Sequence, residues 1–283
     1  PKHESRGLSI EKLVISLYAK GMSVSDIEEE MREIYEIELS TSAISIITNK
    51  VNQAAQEWQN RPLEKKYAIV FMDAIHFHVR EDNRTVKKAV YVAIGIRLSG
   101  QKEVLGMWIG GNESAKYWLG VLNDLKNRGV QDILILCADG LSGIKESIAA
   151  AYPNTEYQRC IVHQVRNTLK YVSDKDKKAF ANDLKTIYHA PNEEVGYEHM
   201  HEVTEKWHDK YPNSMKRWEE NWDVISPMFK FSADVRKVMY TTNAIESLNS
   251  ALRRLNSQRS VFPSDAALLK ALYLATFEAT KKW

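Results

Sequence analysis

Three acidic residues stand in settings that suit metal chemistry. The runs YAIVFMD and DILILCAD are typical of strands, and we expect Asp73 to end the first strand and Asp139 to end the fourth. Glu246 lies near the start of the helical stretch TTNAIESLNSALRR. Three carboxylates without a cage of His or Cys suit a hard cation such as Mg²⁺. Two such ions about 4 Å apart can activate a nucleophile and stabilise the leaving oxygen in phosphoryl transfer.

Each acid taken alone is weak evidence, because most Asp and Glu side chains are solvated surface charges. On composition, the competing acids are Asp82, Asp124, Asp132 and Glu146. Position favours the first three. If the two strands are neighbours in a sheet, Asp73 and Asp139 emerge near one edge, where α/β sheets usually keep their chemistry.

Two histidines follow Asp73 in the sequence DAIHFH. Alternation along a strand places Asp73, Ile75 and Phe77 on one face, and His76 and His78 on the other. The histidines are therefore poor partners for Asp73 in a metal site. We interpret them as structural or substrate-facing residues.

The stretch from Thr241 to Arg254 has two rows of residues at helical spacing. The apolar row, which should dock the helix on the sheet, is Ile245, Leu248, Leu252 and Leu255. The polar row is Glu246, Asn249, Arg253 and Asn256. A metal ligand followed by a phosphate-binding arginine is the functional interpretation. An ordinary amphipathic helix with a solvated face is the alternative, and periodicity alone does not exclude it.

The chain has only two cysteines, which argues against a disulfide scaffold and fits a reducing cytosol. Cys160 and His163 are spaced like half of a zinc site, but no second Cys/His pair of suitable spacing accompanies them. A structural zinc site is therefore not expected. Cys137 is interpreted as a small buried hydrophobe.

The bulk composition is that of a globular protein, with 283 residues of which 44% are hydrophobic. The longest apolar runs are too short to span a bilayer, and the N-terminus has no apolar signal core. The net charge of +2 says little, but residues 230–260 hold six basic residues against two acidic ones. A polyanionic partner is thus better placed near the C-terminal third. Because the chain opens without Met and stops in a helical pattern, we expect it to be part of a longer protein.

The pattern of elements predicts four regions. Residues 1–62 should form a small helical domain, resembling a helix-turn-helix, in which DNA binding and plain three-helix packing are both open, since the third helix offers only Lys50. Residues 63–165 have the order β-β-β-α-β-α-β, which suggests a mixed sheet with helices packed on its faces. Residues 166–238 are helical and rich in aromatics, most of which should be core, although an exposed one could stack on an unpaired base. Residues 239–283 return to the core with the helix of Glu246.

Four motifs in this order resemble the signatures of the Mutator-type bacterial insertion-sequence transposases. They are MDAIHFHVR, CADGLSGIKESI, RCIVH and TTNAIESLN, and the resemblance covers roughly residues 65–260. It implies a ribonuclease-H-like α/β fold with helices on both faces of a mixed sheet, interrupted by an all-α insertion and preceded by a small helical domain. A basic residue is common in the family where this chain has His78, which is a small departure.

The resemblance also implies the chemistry. Asp73, Asp139 and Glu246 occupy the positions of a DDE triad, with Mg²⁺ as cofactor and Mn²⁺ as a substitute. The activity implied is cleavage of transposon ends and strand transfer into target DNA. The implied partners are double-stranded DNA, as terminal inverted repeats bound by the N-terminal helices and as target, and a second copy in a homodimer. The implied location is the bacterial cytoplasm, at the nucleoid, with no membrane association.

The residues expected to contact DNA are Asn243, Asn249, Arg253, Arg254 and Arg166, whereas Cys160 and His163 match a family motif of unknown role. Two alternatives to a transposase stay open. One is a catalytically inactive DNA-binding derivative, against which the intact triad counts. The other is a ribonuclease-H-like nuclease or resolvase, which shares the chemistry but does not join strands. The aromatic helical insertion and the motif TTNAIESLN favour a transposase over both.

Overall fold

The structure is a computed structural model, and it describes residues 2–110, 114–241, 243–281 and 283. Side chains are described from Ile10 onward, except at Asn243 and Ala244 within this range. No helix in the described part of the chain is long and apolar enough to cross a membrane.

The N-terminal region folds as three helices, as the sequence predicts. They are α1 (Lys2–Ala19), α2 (Val24–Glu33) and α3 (Thr41–Asn60). Gly21 adopts a positive φ of 97° between α1 and α2, a conformation that glycine allows without strain. A capping box then opens α2, in which Ser23 and Asp26 exchange side-chain-to-backbone hydrogen bonds.

Five strands form one mixed sheet in the order β3-β2-β1-β4-β5. The strands are β1 (Lys66–Glu81), β2 (Arg84–Arg97), β3 (Lys102–Gly110), β4 (Asp132–Ala138) and β5 (Glu156–Arg159). The first three form an antiparallel meander, and β4 and β5 run parallel to β1. This order and these directions are those of the ribonuclease-H-like fold, so the predicted fold class is confirmed.

One boundary predicted from the sequence is wrong. Asp73 does not end the first strand, because β1 continues to Glu81 and pairs with β2 along its whole length. The Asp82–Asn83 turn closes this long hairpin with both residues at positive φ. Asp73 instead marks the point where β4 leaves β1, since the last parallel pair is Met72 with Ala138.

The two faces of the sheet are covered by different helices. On one face, α4 (Ala115–Asn127) and α5 (Ile144–Ala151) bury Trp118, Leu122 and Ile148 against the strands. On the other face, α12 (Asn243–Gln258), α13 (Asp265–Thr280) and the N-terminal helices share one core. The apolar row predicted on α12 is buried there, with Leu248 and Leu252 fully inaccessible. Asp73 belongs to the face covered by α12, and His76 and His78 on the opposite face are exposed.

A helical segment connects β5 to α12. It comprises α6 (Ile161–Leu169), α7 (Asp174–Tyr188), α8 (Glu193–His208), α9 (Lys216–Glu219), α10 (Trp222–Ile225), a 3-10 helix (Ser226–Lys230) and α11 (Ala233–Tyr240). Most of its aromatics pack in or against the core, as predicted: Phe180 and Trp218 are fully buried, and others such as Tyr211 are partly buried. Tyr171 and Tyr197 are the exceptions, exposed by 62% and 45%. The boundary proposed at residue 166 falls within α6, so this helix links the sheet to the insertion.

Candidate active site

Asp73 and Asp139 lie side by side in the middle of the sheet, where β4 leaves β1. Because Met72 and Ala138 form the last pair between β1 and β4, the next residue on each strand is one of the two acids. Neighbouring strands lie about 4.8 Å apart, so the two backbones are close at this level. The expected adjacency of these two strands is confirmed.

Asp73 is held from several directions and is 8% exposed. Its Oδ1 accepts a hydrogen bond of 2.8 Å from the backbone N–H of Ala74. The Nδ2 of Asn249 on α12 donates to Oδ2, and the Nε2 of His163 on α6 lies 3.6 Å from the same oxygen. Asp73 is therefore fixed in place by two helices that reach the sheet from different parts of the chain.

Asp139 has a more open setting. It directly follows β4 and is partly exposed. Its Oδ1 accepts a hydrogen bond of 2.8 Å from the backbone N–H of Gly140. The loop that follows turns at Gly143, which has a φ of 76° and packs against the backbone of Ala115. The carboxylate thus keeps room for an additional ligand.

Glu246 lies in the first turn of α12, one turn before Asn249 on the same helix face. Its Oε1 accepts a hydrogen bond from Nη2 of Arg166, and both side chains are partly exposed. Arg166 in turn lies one turn after His163 on α6. The two helices are therefore joined twice, by Arg166 to Glu246 directly and by His163 and Asn249 through Asp73.

The donors present fit a hard divalent cation in their chemistry, because they are carboxylates with free lone pairs at a partly open edge. Within the described ranges, however, no group of three or more His, Cys, Asp or Glu side chains lies close enough to hold a metal ion. Glu246 is directed to Arg166 instead. For a three-carboxylate site to form, Glu246 must exchange the guanidinium for the metal.

The Cys160–His163 motif positions α6. The backbone N–H of Cys160 donates a 2.8 Å hydrogen bond to the carbonyl of Ala138, which ties the start of α6 to the end of β4. Burial raises the pKa of the Cys160 thiol to about 12 and raises that of Cys137 as well, so neither thiol is a nucleophile at neutral pH. In this arrangement His163 faces Asp73, and its Nδ1 is buried without a partner in the part of the chain described.

The residues expected to contact DNA separate into three groups. Arg253 and Arg254 are exposed on α12, and Arg166 is exposed but paired with Glu246. Asn249 is 2% exposed and its amide is used by Asp73, so we revise its role from DNA contact to positioning of that acid. The side chain of Asn243 lies outside the described residues.

Sequence reasoning missed Arg159, the last residue of β5. It pairs in register with Ala138, next to Asp139. Its guanidinium packs against Gly140, where an added Cβ would lie 2.0 Å from Nη2. The available signal was its place at the end of the strand that follows the Asp139 strand.

Comparison with known proteins gives a consistent result. The family model described as "Transposase, Mutator family" matches residues 2–283. The transposase for insertion sequence element ISRM3 of Rhizobium meliloti is 44% identical over 283 residues, covering all of this chain and 71% of that protein. A probable insertion-sequence transposase of Corynebacterium diphtheriae is 41% identical over 276 residues, covering 97% of this chain and 80% of that protein.

A more distant relative is also a transposase. The transposase for insertion sequence element IS256 in transposon Tn4001 of Staphylococcus aureus is 27% identical over 273 residues, covering 95% of this chain and 70% of that protein. Among solved structures, a chain of a simian T-cell lymphotropic virus intasome matches with a TM-score of 0.24 and 11% identity, over 54% of this chain and 63% of that one. So low a TM-score adds nothing to the fold assignment, which the strand order defines.

Proposed function

The chain belongs to the Mutator family of insertion-sequence transposases, and from that premise we propose that Asp73, Asp139 and Glu246 are its catalytic triad. The reaction proposed is Mg²⁺-dependent cleavage at the ends of the insertion sequence, followed by transfer of the cut strand into target DNA. Mn²⁺ should substitute for Mg²⁺, because both are hard cations that prefer oxygen ligands.

A single observation carries the assignment. Asp73 and Asp139 follow the last residue pair of two parallel neighbours, and α12 is docked on Asp73 through Asn249. Glu246 is one turn from Asn249, so its backbone is held near Asp73. The competing acids Asp82, Asp124 and Asp132 lie elsewhere, at a hairpin turn, on α4 and at the start of β4. Glu146 is on α5, which packs on the face of the sheet opposite to α12.

The chain's residues divide the work. Asn249 and His163 orient the carboxylate of Asp73. Asp139 offers a partly open carboxylate. Arg166 on α6 holds the side chain of Glu246 on α12. With divalent metal bound, a hydroxyl is activated for in-line attack on a phosphodiester and the leaving oxygen is stabilised. No covalent link between enzyme and DNA is needed for this chemistry.

A transposase binds transposon DNA. We propose in addition which part of that DNA each region binds, and that the chain acts as a dimer. The terminal inverted repeats should bind the helical N-terminal region, 1–62, while the insertion, 166–238, and the core segments 63–165 and 239–283 hold the cleavage site. Paired ends require two active sites, so we propose a homodimer acting on DNA at the bacterial nucleoid. Arg253 and Arg254 are proposed phosphate contacts, being exposed on the helix that carries Glu246.

The test is a strand-transfer assay with a labelled transposon-end duplex in Mg²⁺. Asp73→Asn, Asp139→Asn and Glu246→Gln should each abolish cleavage and joining while binding of the duplex survives. Asp82→Asn is the matched control, because it makes the same change on an exposed hairpin turn and should act like the wild type. Near-normal joining by any of the three variants would remove that acid from the triad.

The same assay separates the alternatives. Cleavage without joining would indicate a nuclease or resolvase. Binding without cleavage by the unmodified chain would indicate an inactive derivative.

A further inference from the structure

The guanidinium of Arg159 lies next to Asp139, at the end of β5. Within the described residues it forms no ion pair, and its one hydrogen bond runs from Nη1 to the amide oxygen of Asn221, at 3.1 Å. Its Nε is buried without a partner in the same part of the chain. Arg166, by contrast, is neutralised by Glu246.

Arg159 contacts both chain neighbours of Asp139. The backbone of Arg159 is in register with Ala138, which precedes Asp139, and its guanidinium packs on Gly140, which follows it. The guanidinium nonetheless makes no ion pair with the Asp139 carboxylate. A full positive charge therefore remains next to the proposed metal ligand, directed neither at it nor at another acid.

We propose that Arg159 binds a backbone phosphate of the DNA strand at the Asp139 end of the site. This inference rests on the proposed function of the same site. A planar guanidinium with unused N–H groups is the side chain best matched to phosphate oxygens. Its place next to Asp139 would fix the strand relative to the carboxylate without adding a second cation to the metal position.

Two neighbours hold the guanidinium there. Gly140 has no side chain, and any Cβ at that position would displace Arg159. Asn221, which precedes α10 in the insertion, orients Nη1 through a neutral amide, so it fixes the direction of the side chain and leaves its charge intact. The insertion thus contributes a positioning residue to the core, in addition to α6.

The competing explanation is structural, namely that Arg159 only ties β5 to the insertion. Lys230 provides the matched control for this possibility. Its Nζ donates a 2.9 Å hydrogen bond to Glu156 at the other end of β5, so Lys230→Gln also removes one positive charge and one link between β5 and the insertion. Arg159→Gln alters the end of β5 that lies next to Asp139, whereas Lys230→Gln alters the start of the strand, at Glu156.

The experiment measures binding in EDTA of a fluorescent duplex carrying the terminal repeat, over a series of salt concentrations. Arg159→Gln should weaken binding about tenfold, the usual effect of losing a hydrogen bond between charged groups, and should lower the salt slope by about one. Lys230→Gln should bind like the wild type. Because no metal is present, a negative result here is distinct from failure of the triad, which the strand-transfer assay reports.

A second measurement identifies the phosphate. Neutral methylphosphonates are placed one at a time along the cleaved strand. At one position the wild type should lose about tenfold in affinity while Arg159→Gln loses nothing further, since the charge that reads that phosphate is already gone. Equal losses for both proteins at every position would overturn the proposal.

Two milder variants cover the case in which Arg159→Gln does not fold. Asn221→Ala keeps the charge and loses its orientation, and Gly140→Ala displaces the guanidinium. Both should weaken binding of the normal duplex and lose the response to the one neutral phosphate. Wild-type binding by both would overturn the proposal.

Discussion

The guanidinium of Arg166 donates a hydrogen bond to the carboxylate of Glu246, and this pair joins α6 to α12. In the proposed site Glu246 has two alternative partners, the arginine with which it pairs here and a metal ion. Arg166 also has two, because it is partly exposed and a DNA phosphate could replace the carboxylate. Binding of DNA and completion of the metal site are therefore expected to favour each other.

We expect Arg166→Met to tighten Mn²⁺ binding in the absence of DNA, since the cation that competes for Glu246 is removed. Isothermal titration calorimetry measures this directly. The free energy of unfolding should change by no more than about 1 kcal/mol, as is usual for a partly exposed ion pair. Lys177→Met, which breaks an exposed pair with Asp174 on α7, is the control and should leave Mn²⁺ binding unchanged.

A double variant distinguishes competition from general charge repulsion. In a Glu246→Gln background, Arg166→Met should no longer affect Mn²⁺ affinity. If the tightening persists there, repulsion between the arginine and the metal explains it, and the exchange of partners is refuted.

We expect Asn249→Ala to destabilise the protein by about 1.5–3 kcal/mol, because it leaves a buried carboxylate without one of its hydrogen-bond donors. Urea unfolding followed by circular dichroism measures the change. Asn256→Ala is the matched control, two turns later on the same row, where the amide donates only to the backbone carbonyl of His76. A cost for Asn249→Ala no larger than that of the control would show that Asn249 does not hold Asp73.

Lys270 should make stability rise with pH in the alkaline range. Burial lowers its pKa below the ordinary value of 10.5, and its Nζ is satisfied by the neutral side chains of Thr48 and Asn49. The unfolded chain thus binds the proton more tightly than the folded one, so folding is favoured as pH approaches 10.5. Relative to Lys270→Met, the wild type should gain stability between neutral pH and that value. A constant difference in denaturant midpoint across this range would contradict the expectation.

Lys88 should show the opposite dependence. Its hydrogen bond to Asp265, followed by the bond to Glu81, raises its pKa above 10.5. The stabilisation is therefore fully present below the unfolded pKa and is lost as pH rises through the folded one. Lys88→Met should cost about 1–2 kcal/mol at pH 7, and the cost should shrink above pH 10.5. A cost that grows with pH would reverse the assignment.

The parts of the molecule that periodicity specifies were predictable from the sequence. The capping box at Ser23, the apolar row of α12 and the alternation that separates Asp73 from His76 are all encoded within a few residues. The neighbouring positions of Asp73 and Asp139 followed from one further assumption, that β1 and β4 pair.

The rest depends on contacts between distant segments. The apolar run before Asp73 predicts a strand that ends at this residue, but pairing with β2 extends β1 to Glu81. Asn249 and Asn256 look alike in the polar row, and only the position of β1 decides which one lies against a carboxylate. The position of the Arg159 guanidinium depends on its contacts with Gly140 and Asn221. Both residues are distant in the chain, so periodicity does not predict these contacts.

The position of the helical insertion also determines the order in which the parts of the proposed site are synthesised. All five strands and α6 leave the ribosome before the insertion is finished, whereas α12 follows it. At about 5–20 residues per second, the delay between β5 and α12 is on the order of ten seconds. During that time a nascent chain can place Asp73 and Asp139 but has neither Glu246 nor Asn249. A nuclease built on the proposed triad is therefore inactive until the segment that follows the insertion has been synthesised.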